Sequence, residues 1–283
     1  MKQIWIIARM TFRETIRRNI VLTGLVLGLL FLVVFSLGFS DIYGNLLERA
    51  ANSADPYIKT MNGEVVSFLT MAGLYASTFL SVAMGALLGA DTLSGEIASG
   101  TIQTIVAKPV RRAEVVLGKW LGFSILLAIY CLLMCGGTLL SVWVQSGFIP
   151  RNVVNGVPLI YLESVLIMTV AIAYSSFLPG LATGGVVFGL YGLAFIGGWV
   201  EQIGALIENE TAIQIGIVTS LIIPSEALWK RAAFEMQSPI SSALGVSPFA
   251  TLSVPSPLMM GYAVLYLVFT LMAAIHIFNQ RDL

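Results

Sequence analysis

Few side chains in this sequence have the type and spacing to do chemistry. Cys131 and Cys135 lie four positions apart in an apolar run, on one face of a helix, where two thiolates could hold a soft metal ion. No histidine stands beside them. The single histidine, His276, rules out the common multi-histidine metal sites. Two cysteines inside an apolar run also rule out a disulfide framework of the secreted kind. Gly118-Lys119 looks like the end of a phosphate-binding loop. Such a loop needs G-x-x-x-x-G-K-[ST] for its backbone amides to hold phosphates, and Ala113 and Trp120 occupy the positions where glycine and Ser/Thr are required. Glu163 is an acid in an otherwise apolar stretch, tolerable at a membrane interface and costly at the midplane. With one histidine, no intramembrane acid pair and no metal-ligand spacing, a membrane-embedded enzyme is not expected.

The elements holding these residues follow from composition. Of 283 residues, 57% are hydrophobic and 11% charged, against roughly 25% charged in soluble domains. So much apolar surface beneath so few charges predicts an all-α, polytopic membrane helix bundle, a single transmembrane domain over residues 1–283. The formal net charge is zero, which removes the electrostatic case for a nucleic-acid partner and leaves membrane lipids as the surroundings. A spanning helix needs about 20 apolar residues. Charge-free runs supply six spans, at 19–40, 66–90, 120–145, 159–178, 181–200 and 258–278. The fourth and fifth come from one long run divided at Leu178-Pro179-Gly180, a turn signal. Thr211 to Ile223 is apolar but short, and fits a re-entrant or interfacial segment better than a crossing. The first span is too long for the apolar core of a signal peptide and no convincing small-residue cleavage site follows, so it is read as retained.

Lysine and arginine orient the bundle. Ten of the 15 stand in the N-terminal tail, in segment 91–119 and at Arg281, whereas the acids concentrate in the opposite loops. The expected placement is a multi-pass protein of the inner (cytoplasmic) membrane with both termini in the cytoplasm, segment 91–119 cytoplasmic and segment 201–257 extracytoplasmic.

Two inner segments carry a pattern. In residues 2–18, Lys2, Arg9, Arg13 and Arg17 form one helical stripe, and Trp5, Ala8, Phe12 and Ile16 an adjoining apolar one. Such an interfacial helix lies in the headgroup plane, either as a plain topology anchor or as a lever that also touches a cytoplasmic partner. Segment 91–119 is too long and too patterned for a plain helix–helix turn. Apolar positions from Thr101 to Val106, a break at Pro109 and a basic turn behind it fit a docking element for another protein, and fit equally a packed cytoplasmic cap.

This segment resembles the cytoplasmic loop of type-2 ABC exporter permeases. The matching residues are Gly95-Glu96, Gly100-Thr101, Ile102 and Ile105, Pro109 with Arg111 and Arg112, and Gly118-Lys119. The basic opening ARMTFRETIRR before the first span is similar too, as is the layout of six spans with a large outer segment before the last. Leu93-Ser94-Gly95-Glu96 looks like part of the L-S-G-G-Q motif of ABC ATPases, but no phosphate loop accompanies it and the permeases carry a similar string here. The resemblance implies a half-transporter whose inner loop docks on a separate ATP-binding subunit, with coupling contacts at Glu96, Gly100, Thr101, Ile102, Pro109 and Arg111. It implies no catalytic residue and no cofactor on this chain, with ATP and Mg on the partner subunit, and a homodimer with the pathway between two copies. In related members the outer segment before the last helix helps close an outer gate; Ile213, Ile217 and Trp229 fall in the matching region here.

The outer segment adds its own pattern. Ser225 after Pro224 is placed to cap a helix, with Trp229 and Phe234 available for the membrane interface. Small-residue pairs at Gly24/Gly28, Gly85/Gly89, Gly180/Gly184 and Gly185/Gly189 let helices approach closely. The fifth span is richest in glycine and is the expected helix near a dimer seam or pathway. The function expected is therefore the membrane subunit of an ABC exporter or assembly machine. The alternative, an ion-coupled secondary transporter or channel, needs polar coupling sites near the midplane. Spans 1, 2, 3, 5 and 6 lack acidic or basic residues in their centres.

Overall fold

The computed structural model describes residues 2–52, 56–95, 111–238 and 253–280, and every regular element among them is a helix. In chain order they are α1 (Lys2–Thr15), α2 (Asn19–Ala51), α3 (Pro56–Ala90), α4 (Arg112–Ser146), α5 (Val153–Ser175), α6 (Gly180–Leu206), α7 (Glu210–Ile222), α8 (Ser225–Met236) and α9 (Pro257–Gln280). Six of them, α2 to α6 and α9, are long and apolar enough to cross a membrane. The all-helical, six-span architecture expected from the apolar runs is the one observed.

Local chemistry sets several boundaries. The backbone N–H of Arg111 donates to Glu114 Oε2 at 3.1 Å, half of a capping box that starts α4. Gly147, at φ +69°, ends α4 in the left-handed conformation that glycine adopts without strain. Pro179 turns the chain between α5 and α6, as its ring and the following glycine favour. The Asn209 side chain accepts from the Ala212 N–H at 3.1 Å and opens α7. Several boundaries lie further out than the charge-free runs. Helix α2 continues past Asp41 to Ala51, and α5 begins at Val153 with Pro158 inside it.

The bundle is layered by burial. The apolar window of α5 is 72% buried, against 11% for α2 and 17% for α9. Helix α5 is therefore the central post, and α2 and α9 present apolar faces outward. In lipid, apolar side chains gain little by leaving their surroundings, so close packing and hydrogen bonds must join the helices. Helix α3 meets α5 through glycine. A methyl group at Gly85 would lie 2.8 Å from the Ser164 carbonyl oxygen, and one at Gly89 would lie 2.5 Å from Ala171 Cβ and 2.7 Å from the Met168 carbonyl oxygen. Polar links join other pairs. Tyr130 Oη donates to the Gly24 carbonyl at 3.0 Å, and Trp120 Nε1 donates to Thr169 Oγ1 at 2.8 Å.

Helix α1 lies on α4. Gly118 and Gly122 open the groove: a methyl at Gly118 would stand 2.6 Å from Ile7 Cβ, and one at Gly122 would stand 2.7 Å from the Ala8 carbonyl oxygen. The buried face is thus Ala8, Thr11 and Thr15, rotated from the apolar stripe read in the sequence, and Trp5 (61%) and Ile16 (49%) are exposed. The glycine groove of α4 decides the rotation, because backbone can approach backbone only where Cβ atoms are missing.

Candidate functional site

The two ends of the bundle hold the charged residues. At the basic end lie α1, the C-terminal ends of α3, α5 and α9, and the N-terminal ends of α4 and α6. Each helix terminus there leaves backbone groups without intrahelical partners. The charged side chains answer them. Lys119, buried within α4, donates from Nζ to the Thr92 carbonyl just beyond α3 at 3.3 Å. Arg112 Nη1 donates to the carbonyls of Phe278 and Asn279 in the last turn of α9, at 3.4 and 3.3 Å. The Asp91 carboxylate sits against Gly180, where a methyl group would lie 2.8 Å from Oδ1, so an acid faces the positive end of α6. One surface pair, Arg18 to Glu14 at 2.7 Å, follows helical i,i+4 spacing. These charges clamp the ends of four helices around the point where segment 96–110 leaves α3 and returns to α4.

The opposite end is built around a hairpin. Helix α7 runs back along the last turns of α6: Gly204 meets Ala212, Glu201 meets Gly216 and Gly197 meets Thr219, an antiparallel order. Ile223-Pro224 then bends the chain by 109° into α8. Helix α8 packs on α5 and places Trp229 4.8 Å, centroid to centroid, from Tyr75 of α3. Lys230 Nζ donates to Glu201 Oε2 at 2.8 Å, a pair buried on both sides. Ser253 Oγ donates to Glu201 Oε1 at 2.6 Å and ties the approach to α9 into the same cluster. Glu226 lies against Gly198. Helices α7 and α8 are outside the six spans. There burial pushes the Glu226 carboxyl up to about 7, with Lys230 pulling it down and Glu201 adding to the rise. Glu163 of α5 completes the cluster. It is fully buried, and neither carboxylate oxygen has a hydrogen-bond partner among the described residues.

The residues singled out in the sequence are distributed unevenly. Glu96, Gly100, Thr101, Ile102 and Pro109 lie outside the described residues. Arg111 is exposed at the start of α4, Arg9 and Arg13 are exposed on α1 beside it, and Arg17 is exposed in the turn just after α1. Ile213, Ile217 and Trp229 do not converge. Ile213 is half-buried, Ile217 is 47% exposed, and Trp229 is buried against Tyr75 instead of sitting at an interface. Ser225 does not cap α8. Pro224 holds the cap position, and the Ser225 hydroxyl is buried with no hydrogen-bond partner among the described residues. Glu163 differs most. With α5 starting at Val153, it falls near the middle of a 23-residue helix, not at the outer end of a span. Asn155 and Pro158 disguised that start as a loop. Cys131 and Cys135 are buried with Sγ atoms 4.0 Å apart, and His276 is exposed near the end of α9.

Glu201, Glu226 and Lys230 formed no pattern in the sequence. The available signal was their occurrence in a segment otherwise rich in apolar residues, which resembles membrane-embedded chain more than a solvated loop.

The family model described as "ABC-2 family transporter protein" matches residues 5–283. The "Probable ABC transporter permease protein NosY" of Stutzerimonas stutzeri is 28% identical over 142 residues, which cover 50% of this chain and 46% of that protein. The chain thus spans about half the length of the curated relative it matches.

Proposed function

As a member of the ABC-2 family of transporter proteins, this multi-pass membrane chain is, we propose, the permease subunit of an ABC transporter, and it couples ATP hydrolysis on a separate subunit to export or to membrane assembly work. The observation that carries this reading is the clamped basic end. Segment 96–110 is mounted between α3 and α4, the two helices whose ends are fixed by Lys119, Arg112 and the Glu114 capping box. Helix α1 is seated on α4 beside it and leaves its arginines exposed.

A partner that grips segment 96–110 would move α3 and α4 as a unit, because their ends are joined by hydrogen bonds. Helix α3 carries that motion to the hairpin, since Tyr75 lies under Trp229. Two states of the spans with different affinity for the ATPase suffice to drive the cycle. The basic end faces the cytoplasm of an inner-membrane protein, and the hairpin end is extracytoplasmic. ATP and Mg belong to the partner subunit, and this chain performs no catalysis. Two copies pair. The open face of α6, where Gly184, Gly185, Gly189 and Gly192 meet nothing within 4 Å, is the surface suited to the second copy.

The test is co-purification in mild detergent followed by ATPase assays. A soluble ATP-binding subunit is expected to accompany the chain. Glu96→Gln and Thr101→Ala are expected to lower permease-stimulated ATP turnover by about tenfold, the effect of roughly 1.4 kcal/mol, while leaving membrane insertion intact. Unchanged stimulation in both variants overturns the coupling assignment. The ion-coupled carrier keeps one observation in its favour, the buried acid in mid-helix at Glu163. It predicts transport driven by an ion gradient without ATP.

A further inference from the structure

The hairpin end buries three carboxyl groups, Glu163, Glu201 and Glu226, with one ammonium group, Lys230. The ammonium is committed. Its hydrogen bond goes to Glu201, whose other oxygen accepts from Ser253. Among the described residues that leaves Glu163 without a cation, and Glu226 shares Lys230 with Glu201. The neighbouring stretch 239–252 contains no ionisable residue and supplies none.

Five elements pack against α5: α3, α4, α6, α8 and α9. The titratable groups within electrostatic reach of Glu163 are Tyr75 from α3, Cys131 from α4, Tyr191 from α6 and Glu226 from α8. The tyrosines of α9, Tyr262 and Tyr266, pair with each other at 6.1 Å and reach Tyr174 at the far end of α5. Among the described residues, every group facing Glu163 is neutral or negative when ionised and none is a cation. No group of three or more metal-ligating side chains is gathered among the described residues. A bare carboxylate in such surroundings costs several kcal/mol, and burial next to a second carboxylate adds repulsion. The smallest ligand that removes both costs is a proton.

The location gives that proton a consequence. Glu163 belongs to the central post α5, and Glu226 to the arm of the hairpin packed over it. We propose that Glu163 and Glu226 form a proton-binding site at the seam between α5 and α8, and that the hairpin stays docked while the site holds a proton and lifts when the proton is released to the outside. The balance is simple. One O–H bond breaks, the proton goes to water, and two carboxylates are left facing each other with Lys230 already engaged. Because burial raises the affinity of the docked state for protons, docking is fully stable at acid pH and weakens as pH rises.

The inference rests on burial and charge alone. Its test uses the purified full-length permease in lipid nanodiscs without any ATPase, so its failure and that of the proposed function are distinguishable. The probe is the proton itself. Infrared spectroscopy across the neutral range is expected to show a protonated-carboxyl C=O stretch that disappears in Glu163→Gln. Hydrogen exchange in α8, corrected for intrinsic rates, is expected to lose about tenfold of its protection per unit of pH once release begins. In Glu163→Gln, whose amide stays neutral, that loss is expected to vanish. Should that variant fail to fold, Glu226→Gln keeps the test open. It removes the mutual repulsion, and the loss of α8 protection is expected to move to higher pH. The proposal is overturned if Glu163 is ionised at acid pH, with or without a metal cation holding it. It is overturned equally if α8 protection does not respond to pH, or responds identically in the wild type and both variants.

Discussion

The basic end and the hairpin end solve the same problem, a charge inside an apolar bundle, in opposite ways. At the basic end each charge sits near a helix terminus, where backbone carbonyls and amides have no intrahelical partner. Lys119 and Arg112 donate to oxygen atoms at the ends of α3 and α9. At the hairpin end Glu163 and Glu201 project from within helices, where every nearby backbone group is consumed by the helix itself, and Glu226 stands in the first turn of α8. Glu201 finds Lys230, but Glu163 finds nothing equivalent. Charges at helix ends can use free backbone groups, whereas charges in helix interiors depend on other side chains, which makes them sensitive to relative helix position. The first arrangement suits a rigid mount and the second suits a part that moves.

The largest expected effect breaks the joint arrangement. Lys230→Met strands Glu201 in a buried site and is expected to cost about 3–5 kcal/mol, read as a drop in the thermal unfolding midpoint in detergent. Adding Glu201→Gln should restore most of the loss. A single-variant cost near zero would mean that the hairpin end is solvated and the contrast between the ends is false. A smaller loss is expected where α3 joins the two ends. Gly89→Leu forces a side chain against Ala171 and the α5 backbone and should destabilise by about 1–3 kcal/mol in the same assay. At the basic end, Arg112→Ala removes a helix-end contact. It should cost about 0.3–1 kcal/mol, seen as faster hydrogen exchange confined to the last turn of α9. A global loss of stability there would show that the cations act jointly after all. The smallest effect is expected on the open face of α6. Gly189→Leu should change unfolding by less than about 0.5 kcal/mol, because nothing lies within 4 Å, yet it should weaken self-association in cross-linking. Unaltered cross-linking would move the dimer seam elsewhere.

Legibility in the sequence differs between the ends for a related reason. Segment 91–119 was visible because glycine, proline and basic residues follow one another within a single stretch, and Gly118-Lys119 proved structural in a way that local spacing alone does not reveal: Gly118 seats α1 and Lys119 closes the end of α3. The hairpin cluster was nearly invisible. Glu163 stands out in its apolar stretch, but it and Glu226 are separated by a whole span and its return, and nothing in the sequence brings them together. Trp229, read as an interface residue by its type, is buried because α8 folds back over Tyr75.

The number of crossings belongs to the sequence alone, because the free energy of placing about 20 residues in lipid is a sum over those residues and needs no knowledge of where the chain goes next. Which face of α1 is buried, where Glu163 sits along its helix and which acid Lys230 pairs with are decided only in three dimensions. Those outcomes depend on distances between side chains remote in the chain, set by glycine contacts such as Gly89 on α5 and Gly118 under α1. A carboxyl group is costly or harmless according to what stands next to it, and packing determines its neighbours.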